Sequence, residues 1–160
     1  MDASFWIKKL NLLPHPEGGY YRETYRCNMQ ITAKDFEGSR NISTAIYFLL
    51  DGKSKSHFHR IKSDELWFFH EGSALEVLLL NERGLETIVL GKNAENGESF
   101  QAIVPAGCWF GARLKEGKDY ALVSCTVAPG FDFRDFELAK KESLKKEFPQ
   151  HIPIIDDMTL

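Results

Sequence analysis

The chain has little of several things that usually decide what class a protein belongs to. Its three cysteines, Cys27, Cys108 and Cys125, are widely spaced and form no Cys-x-x-Cys pair, which removes the zinc-knuckle, dithiol-redox and disulfide-framework readings. They read as free thiols in a reducing compartment. Cys108, beside Trp109, is a candidate nucleophile by position, but a small buried hydrophobe is the expectation. No apolar run approaches bilayer-spanning length. The start, Met1-Asp2-Ala3-Ser4-Phe5-Trp6, lacks the basic region and apolar stretch of a secretory leader, so a cytoplasmic protein with no membrane partner is expected. Charge of one sign is lacking too: 20 Lys and Arg stand against 23 Asp and Glu. A net charge of −3 offers no general attraction to a polyanion, and nucleic acid is not an expected partner.

What is present is enough apolar material, 43% of 160 residues, for one core and a single domain over residues 1–160. There is no internal repeat, low-complexity tract or linker at which a second domain could begin. Ala3 to Leu12 carries apolar residues at mixed helical spacing and stops before Pro14, Pro16 and Gly18-Gly19, so a short helix and a turn are predicted. Tyr20 to Met29 and Ser43 to Leu50 read as strands. Beyond them, Asp51-Gly52, Glu71-Gly72, Arg83-Gly84, Asn96-Gly97, Ala106-Gly107 and Glu116-Gly117 punctuate short β-rich runs: Glu65–His70, Leu75–Leu80, Leu85–Leu90, Ser99–Val104, Trp109–Leu114 and Tyr120–Val127. Many short strands without interleaved helices predict an all-β barrel or sandwich, a jelly roll first. Phe133 to Phe148 reads as a surface helix ended by Pro149.

The segment richest in chemistry is Gly52 to Gly72, with His57, His59, Asp64, Glu65, Trp67 and His70. Histidines at i and i+2 on a strand share a face, and a carboxylate on the next strand can meet them there. That pattern suits facial metal binding and equally suits acid–base work. Parity sets His70, and Asp64 unless the strand is bulged, on the face opposite Glu65. Of Arg22 and Glu23, neighbours on one strand, one should point inward, where it needs a partner or a ligand. His15 is placed either at the pocket mouth or in a turn.

The order Gly, His-x-His, Glu, Gly, followed by Val104-Pro105-Ala106-Gly107, resembles the two motifs of the cupin superfamily. Pro14-His15-Pro16-Glu17-Gly18-Gly19-Tyr20-Tyr21-Arg22-Glu23-Thr24, Ser63-Asp64-Glu65-Leu66-Trp67 and Ala128-Pro129-Gly130-Phe131-Asp132-Phe133 resemble the cupin-five subfamily, a domain of unknown function, over nearly the whole chain. The resemblance implies a double-stranded β-helix, the cupin jelly-roll barrel, with short N-terminal and C-terminal helices, related in fold to the dTDP-sugar epimerase RmlC. It implies a homodimer as well. In metal-binding cupins a histidine follows Pro-x-Gly by three places, and Phe110 stands there in this chain. The gap from His59 to Glu65 is also longer than in those cupins.

Three functions stay open on this reading. One is metal-independent isomerase or epimerase chemistry on a small polar, sugar-like metabolite, with His59 as base, Glu65 orienting it and Tyr20 donating a proton. Ligand contacts would then come from Arg22, Glu23, His57, Trp67 and Phe110. The second is a mononuclear enzyme holding a divalent transition metal on His57, His59 and Glu65, and the third is plain small-molecule binding.

Overall fold

The computed structural model describes residues 1–52 and 54–160. In chain order it contains α1 (Ala3–Lys9), β1 (Leu13–Pro14), β2 (Tyr20–Arg26), β3 (Gln30–Thr32), β4 (Ser39–Asn41), β5 (Thr44–Asp51), β6 (Lys55–Arg60), β7 (Asp64–Gly72), β8 (Leu75–Asn81), β9 (Gly84–Leu90), β10 (Gln101–Val104), β11 (Trp109–Leu114), β12 (Tyr120–Ala128), β13 (Glu137–Leu138), α2 (Lys141–Glu147) and α3 (Ile152–Met158). One sheet runs β1-β2-β5-β12-β7-β10 and the other β13-β6-β11-β8-β9, with β3-β4 a separate hairpin. All the named strand pairs are antiparallel. The two large sheets face each other across one core, the jelly-roll arrangement.

Side-chain alternation decides what each strand buries. On β8, Leu75, Val77 and Leu79 enter the core between the sheets with Phe48, Leu50, Trp67, Phe110 and Val123. Leu78 and Leu80 point the other way, into a second cluster where Phe58, Trp109, Leu144, Phe148, Ile155 and Met158 join the C-terminal helices to the outside of the barrel. Burying each such leucine contributes about 1.5–3 kcal/mol, so β8 is anchored on both faces. A third cluster seats α1 on the opposite sheet through Leu12, Leu49 and Leu122. Asp2 caps that helix by accepting the Phe5 N–H at 2.8 Å.

Two elements differ from the sequence reading. Strand β2 ends at Arg26 instead of running to Met29, and the β3-β4 hairpin follows it. Phe133 to Phe148 is not one helix: Phe133–Asp135 forms a short 3-10 turn, Glu137–Leu138 pairs with Arg60 and His59 as an edge strand, and only Lys141–Glu147 is helical. The cause is that Phe136 packs against the barrel core, which ties this stretch to the sheet. Pro149 opens a 3-10 turn leading into α3, a role its missing N–H permits at a helix start.

Candidate functional site

Between the sheets lies a cavity of about 420 Å³, walled by Tyr21, Ile46, Ile61, Val127, Phe131 and Phe133. His15, Glu17, His59, Glu65 and Cys125 supply its polar lining, and Glu23, Arg26 and Asp132 also border it. Glu17 reaches it from a loop, not a strand. Gly18 and Gly19 both have positive φ, and a Cβ on Gly18 would come within 1.9 Å of the Lys55 carbonyl oxygen. Only glycine lets the loop press this closely on β6. The His57 backbone N–H donates to the Glu17 carbonyl at 2.8 Å and locks the contact.

That approach buries the Glu17 carboxylate against β6. Its Oε2 lies 2.9 Å from His59 Nε2 and its Oε1 accepts from the Ser56 hydroxyl at 2.9 Å. Ser56 and His59 are three residues apart yet meet the same carboxylate because β6 is bulged. Phe110 pairs with His59 and Ala112 with Ser56, so β6 carries one extra residue opposite Gly111. His59 Nδ1–H donates to the His57 carbonyl at 2.8 Å, so both imidazole nitrogens are taken up.

The charges follow from these contacts. Burial opposes charge on Glu17, yet His59, His15 and the Ser56 hydroxyl outweigh it and hold its pKa below the usual value. Burial likewise opposes a charged His59, and Glu17 outweighs it, so the imidazole is held above its usual pKa. The two form a buried ion pair. Glu65, 7% exposed, has no such partner. Burial and then the nearby Glu17 charge push it up to about 7, against smaller pulls from His59, Cys125 and Trp67. The Trp67 indole N–H, although beside Glu65, closes no full hydrogen bond. Cys125 is held well above the usual thiol range, by burial first and by Glu65 and Glu17 next. His15 is pushed down, chiefly by burial. Its Nδ1 accepts the Glu17 backbone N–H at 3.2 Å, which leaves the other nitrogen protonated in the neutral ring.

The family model described as Cupin superfamily (DUF985) matches residues 4–139. The chain belongs to this cupin family. It is similar to a hypothetical protein from Leishmania major, with 38% identity, a TM-score of 0.93 and 99% of each chain covered. Protein SO0799 from Shewanella oneidensis is similar at 40% identity and a TM-score of 0.91, over 100% of this chain and 98% of that one. The uncharacterized yeast protein YML079W, from Saccharomyces cerevisiae, is 32% identical over 85% of this chain and 74% of its own length.

The cupin His-x-His motif does not act as a pair here. The bulge breaks its parity, and His57 Nδ1–H instead donates to the Glu17 carbonyl at 2.7 Å, away from the cavity lining. Phe110 is wholly buried, packs on His59 with ring centroids 4.1 Å apart, and supplies no donor. Among the described residues no group of three His, Cys, Asp or Glu is arranged to hold a metal ion. The donor set therefore does not fit the metal site expected on His57, His59 and Glu65. His59 is oriented by Glu17 and not by Glu65.

Other expected site residues also fall elsewhere. Tyr20 pairs with Leu49 and packs with the cluster under α1, outside the cavity, whereas its neighbour Tyr21 lines it. Glu23 faces the cavity and Arg22 does not. Trp67 lies in the core below the lining, against Phe110. Asp64 is exposed and accepts the Ala106 N–H at 2.8 Å, while His70 pairs with the Ser124 hydroxyl at 2.8 Å. Cys108 is buried beside Asn81, remote from the cavity lining. Glu17, Cys125, Tyr21, Phe131 and Phe133 were missed. A glutamate held between Pro16 and Gly18-Gly19 was the available signal for the first; the others had none beyond strand parity.

Proposed function

We propose that the cavity is a metal-independent acid–base site for a small metabolite, of the isomerase or epimerase type, with Glu65 as the group that gives and takes the proton. The observation that supports this reading most is a buried carboxyl on a cavity wall, pushed up to about 7 by burial and the Glu17 charge, beside an ion pair that takes up its own hydrogen bonds. A group poised at neutral pH fills both acid and base roles. His59, whose two nitrogens are already bonded, serves as a fixed positive charge held by Glu17. Tyr21 is the hydroxyl positioned to donate, in the place given to Tyr20 by sequence. A nucleotide-sugar substrate is disfavoured, because the guanidinium of Arg26 is taken up by Glu23, Asn41 and the Phe131 carbonyl and offers a diphosphate nothing free.

The test is deuterium exchange. Small carbonyl compounds are incubated with the protein in D2O, and loss of the C–H signal next to the carbonyl is followed by NMR. Wild-type protein is expected to catalyse exchange of at least one compound, and Glu65→Gln to slow it by about 10²–10⁴-fold. Full exchange by a folded Glu65→Gln protein overturns the assignment.

A further inference from the structure

Resting on the Glu65-centred site proposed above, a count of the charges around the cavity narrows what enters it. Four carboxyl groups line it: Glu17, Glu23, Glu65 and Asp132. Three of them have cationic partners. Glu17 holds His59 at 2.9 Å, Glu23 holds Arg26 at 2.5 Å, and Asp132 holds Arg134 at 2.9 Å. Among the described residues Glu65 alone lacks one. It is more than nine-tenths buried, it borders the cavity, and the groups that favour its charge by hydrogen bonding are neutral donors, the Cys125 thiol and the Trp67 indole. An unpaired buried carboxyl facing an open space is costly to ionise, and a cation arriving there would remove that cost.

The walls point the same way. Tyr21, Phe131 and Phe133 line the space with the neutral His15 ring, whose centroid is 4.5 Å from that of Tyr21. Aromatic rings attract cations through their quadrupole and accept an apolar body as well. An anion would meet Glu65 and Glu17 with no free cationic donor among the described lining side chains. We propose that the cavity takes a small organic cation, an ammonium or guanidinium group on a compact apolar or aromatic body, with the Glu65 carboxylate as its counter-ion.

Binding of such a cation should expel the Glu65 proton. The titratable groups that act on Glu65 are Glu17 from the loop, His59 from β6 and Cys125 from β12, with His15, Tyr21, Glu23, Arg26 and Asp132 farther around the same cavity. The Glu17 and His59 charges are locked to each other, Arg26 is taken up by Glu23, and the high thiol of Cys125 keeps its proton, so Glu65 is the group that changes state near neutrality. The experiment is calorimetric titration of the whole protein with benzylammonium, benzyl alcohol and benzoate at pH 6 and pH 8. Benzylammonium is expected to bind in preference to the other two, and about tenfold more tightly at pH 8 than at pH 6, since a group titrating near 7 is mostly protonated at the lower value. A folded Glu65→Gln variant should lose both the preference and the pH dependence.

Benzoate binding as tightly as benzylammonium, a pH-independent affinity, or no binding of any of the three would overturn the proposal. Failure of the two readings can be told apart. Glu65-dependent deuterium exchange on neutral compounds without cation preference would leave the acid–base site standing and remove the cation. Cation preference without exchange on any carbonyl or iminium compound would do the reverse.

Discussion

Two groups of charge are buried among the described residues, and they are built on opposite principles. Arg40 and Asp135 close a bidentate pair with both nitrogen-to-oxygen distances at 2.8 Å, and Arg40 also donates to the carbonyls of Glu37 and Ser39. Every charge there has a partner, and the pair ties the β3-β4 hairpin to the segment before β13. The second group has two carboxylates, Glu17 and Glu65, for one strongly held histidine, His59. Among the described residues it is one cation short, and it borders the cavity. The lesson is that balanced buried charge reads as architecture, whereas an odd carboxyl beside a cavity is a place where a proton or a ligand completes the count.

The sharpest way to break that contrast is Glu17→Ala. It removes the partner of a buried imidazole, the Ser56 acceptor and the main negative neighbour of Glu65 together. A loss of about 3–5 kcal/mol at pH 7, measured by denaturant unfolding, is expected for a buried pair left half made. In the surviving folded protein the Glu65 carboxyl should titrate lower than in wild type, because the Glu17 charge pushes it up.

Glu65→Gln should act in the opposite sense. Glu65 holds its proton more tightly folded than unfolded, so between the ordinary 4.5 and about 7 the native state carries an extra proton and wild-type stability falls as pH rises. Above about 7 the full cost of the ionised buried group is present. The neutral glutamine is therefore expected to stabilise the protein at pH 8 by up to about 3 kcal/mol, and to change little at pH 4. Unfolding curves at the two pH values check it; equal effects at both would show that burial of the charge is not what matters at this position.

A smaller effect is expected from Cys125→Ala. The thiol pulls the Glu65 pKa down slightly against the larger effect of burial, so its loss should move the carboxyl further up. Carbon-detected NMR titration of the Glu65 side chain reads this directly, and Cys125→Ser, which keeps a donor, should restore the wild-type position. No movement in either variant would remove Cys125 from the group.

The same division between balanced and unbalanced groups explains what could be read from residues alone. The barrel was legible because it is written in local signals: Gly-bearing turns at Gly72, Gly84 and Gly107, with two-residue alternation between them, place Trp109–Leu114 where β11 runs. Glu65 was legible because period two holds around it on β7, and His59 because it lies at the end of β6 that keeps its register with Phe110. His57 was misread because one extra residue in β6 reverses the parity on its side of the bulge, and a bulge leaves no mark in the strand's own composition. Glu17 was missed for a different reason. It is carried to the site by a loop whose close approach depends on Lys55, 37 positions after Gly18, and no periodicity reports a contact of that kind.

Replacing Arg40 by Met and Asp135 by Leu together is the smallest perturbation expected, and the one that tests the contrast from its other side. A paired buried salt bridge owes much of its attraction to offsetting its own desolvation, so exchanging both members for apolar residues of similar size costs far less than removing one. The carbonyls of Glu37 and Ser39 lose donors, which limits how neutral the exchange can be. Stability should therefore fall by much less than in Glu17→Ala, and the Glu65 titration should stay where it is, because neither Arg40 nor Asp135 acts on it. If the double variant moved the Glu65 titration, the two groups would be one coupled network, and the cavity's charge count would have to be redrawn to include Arg40.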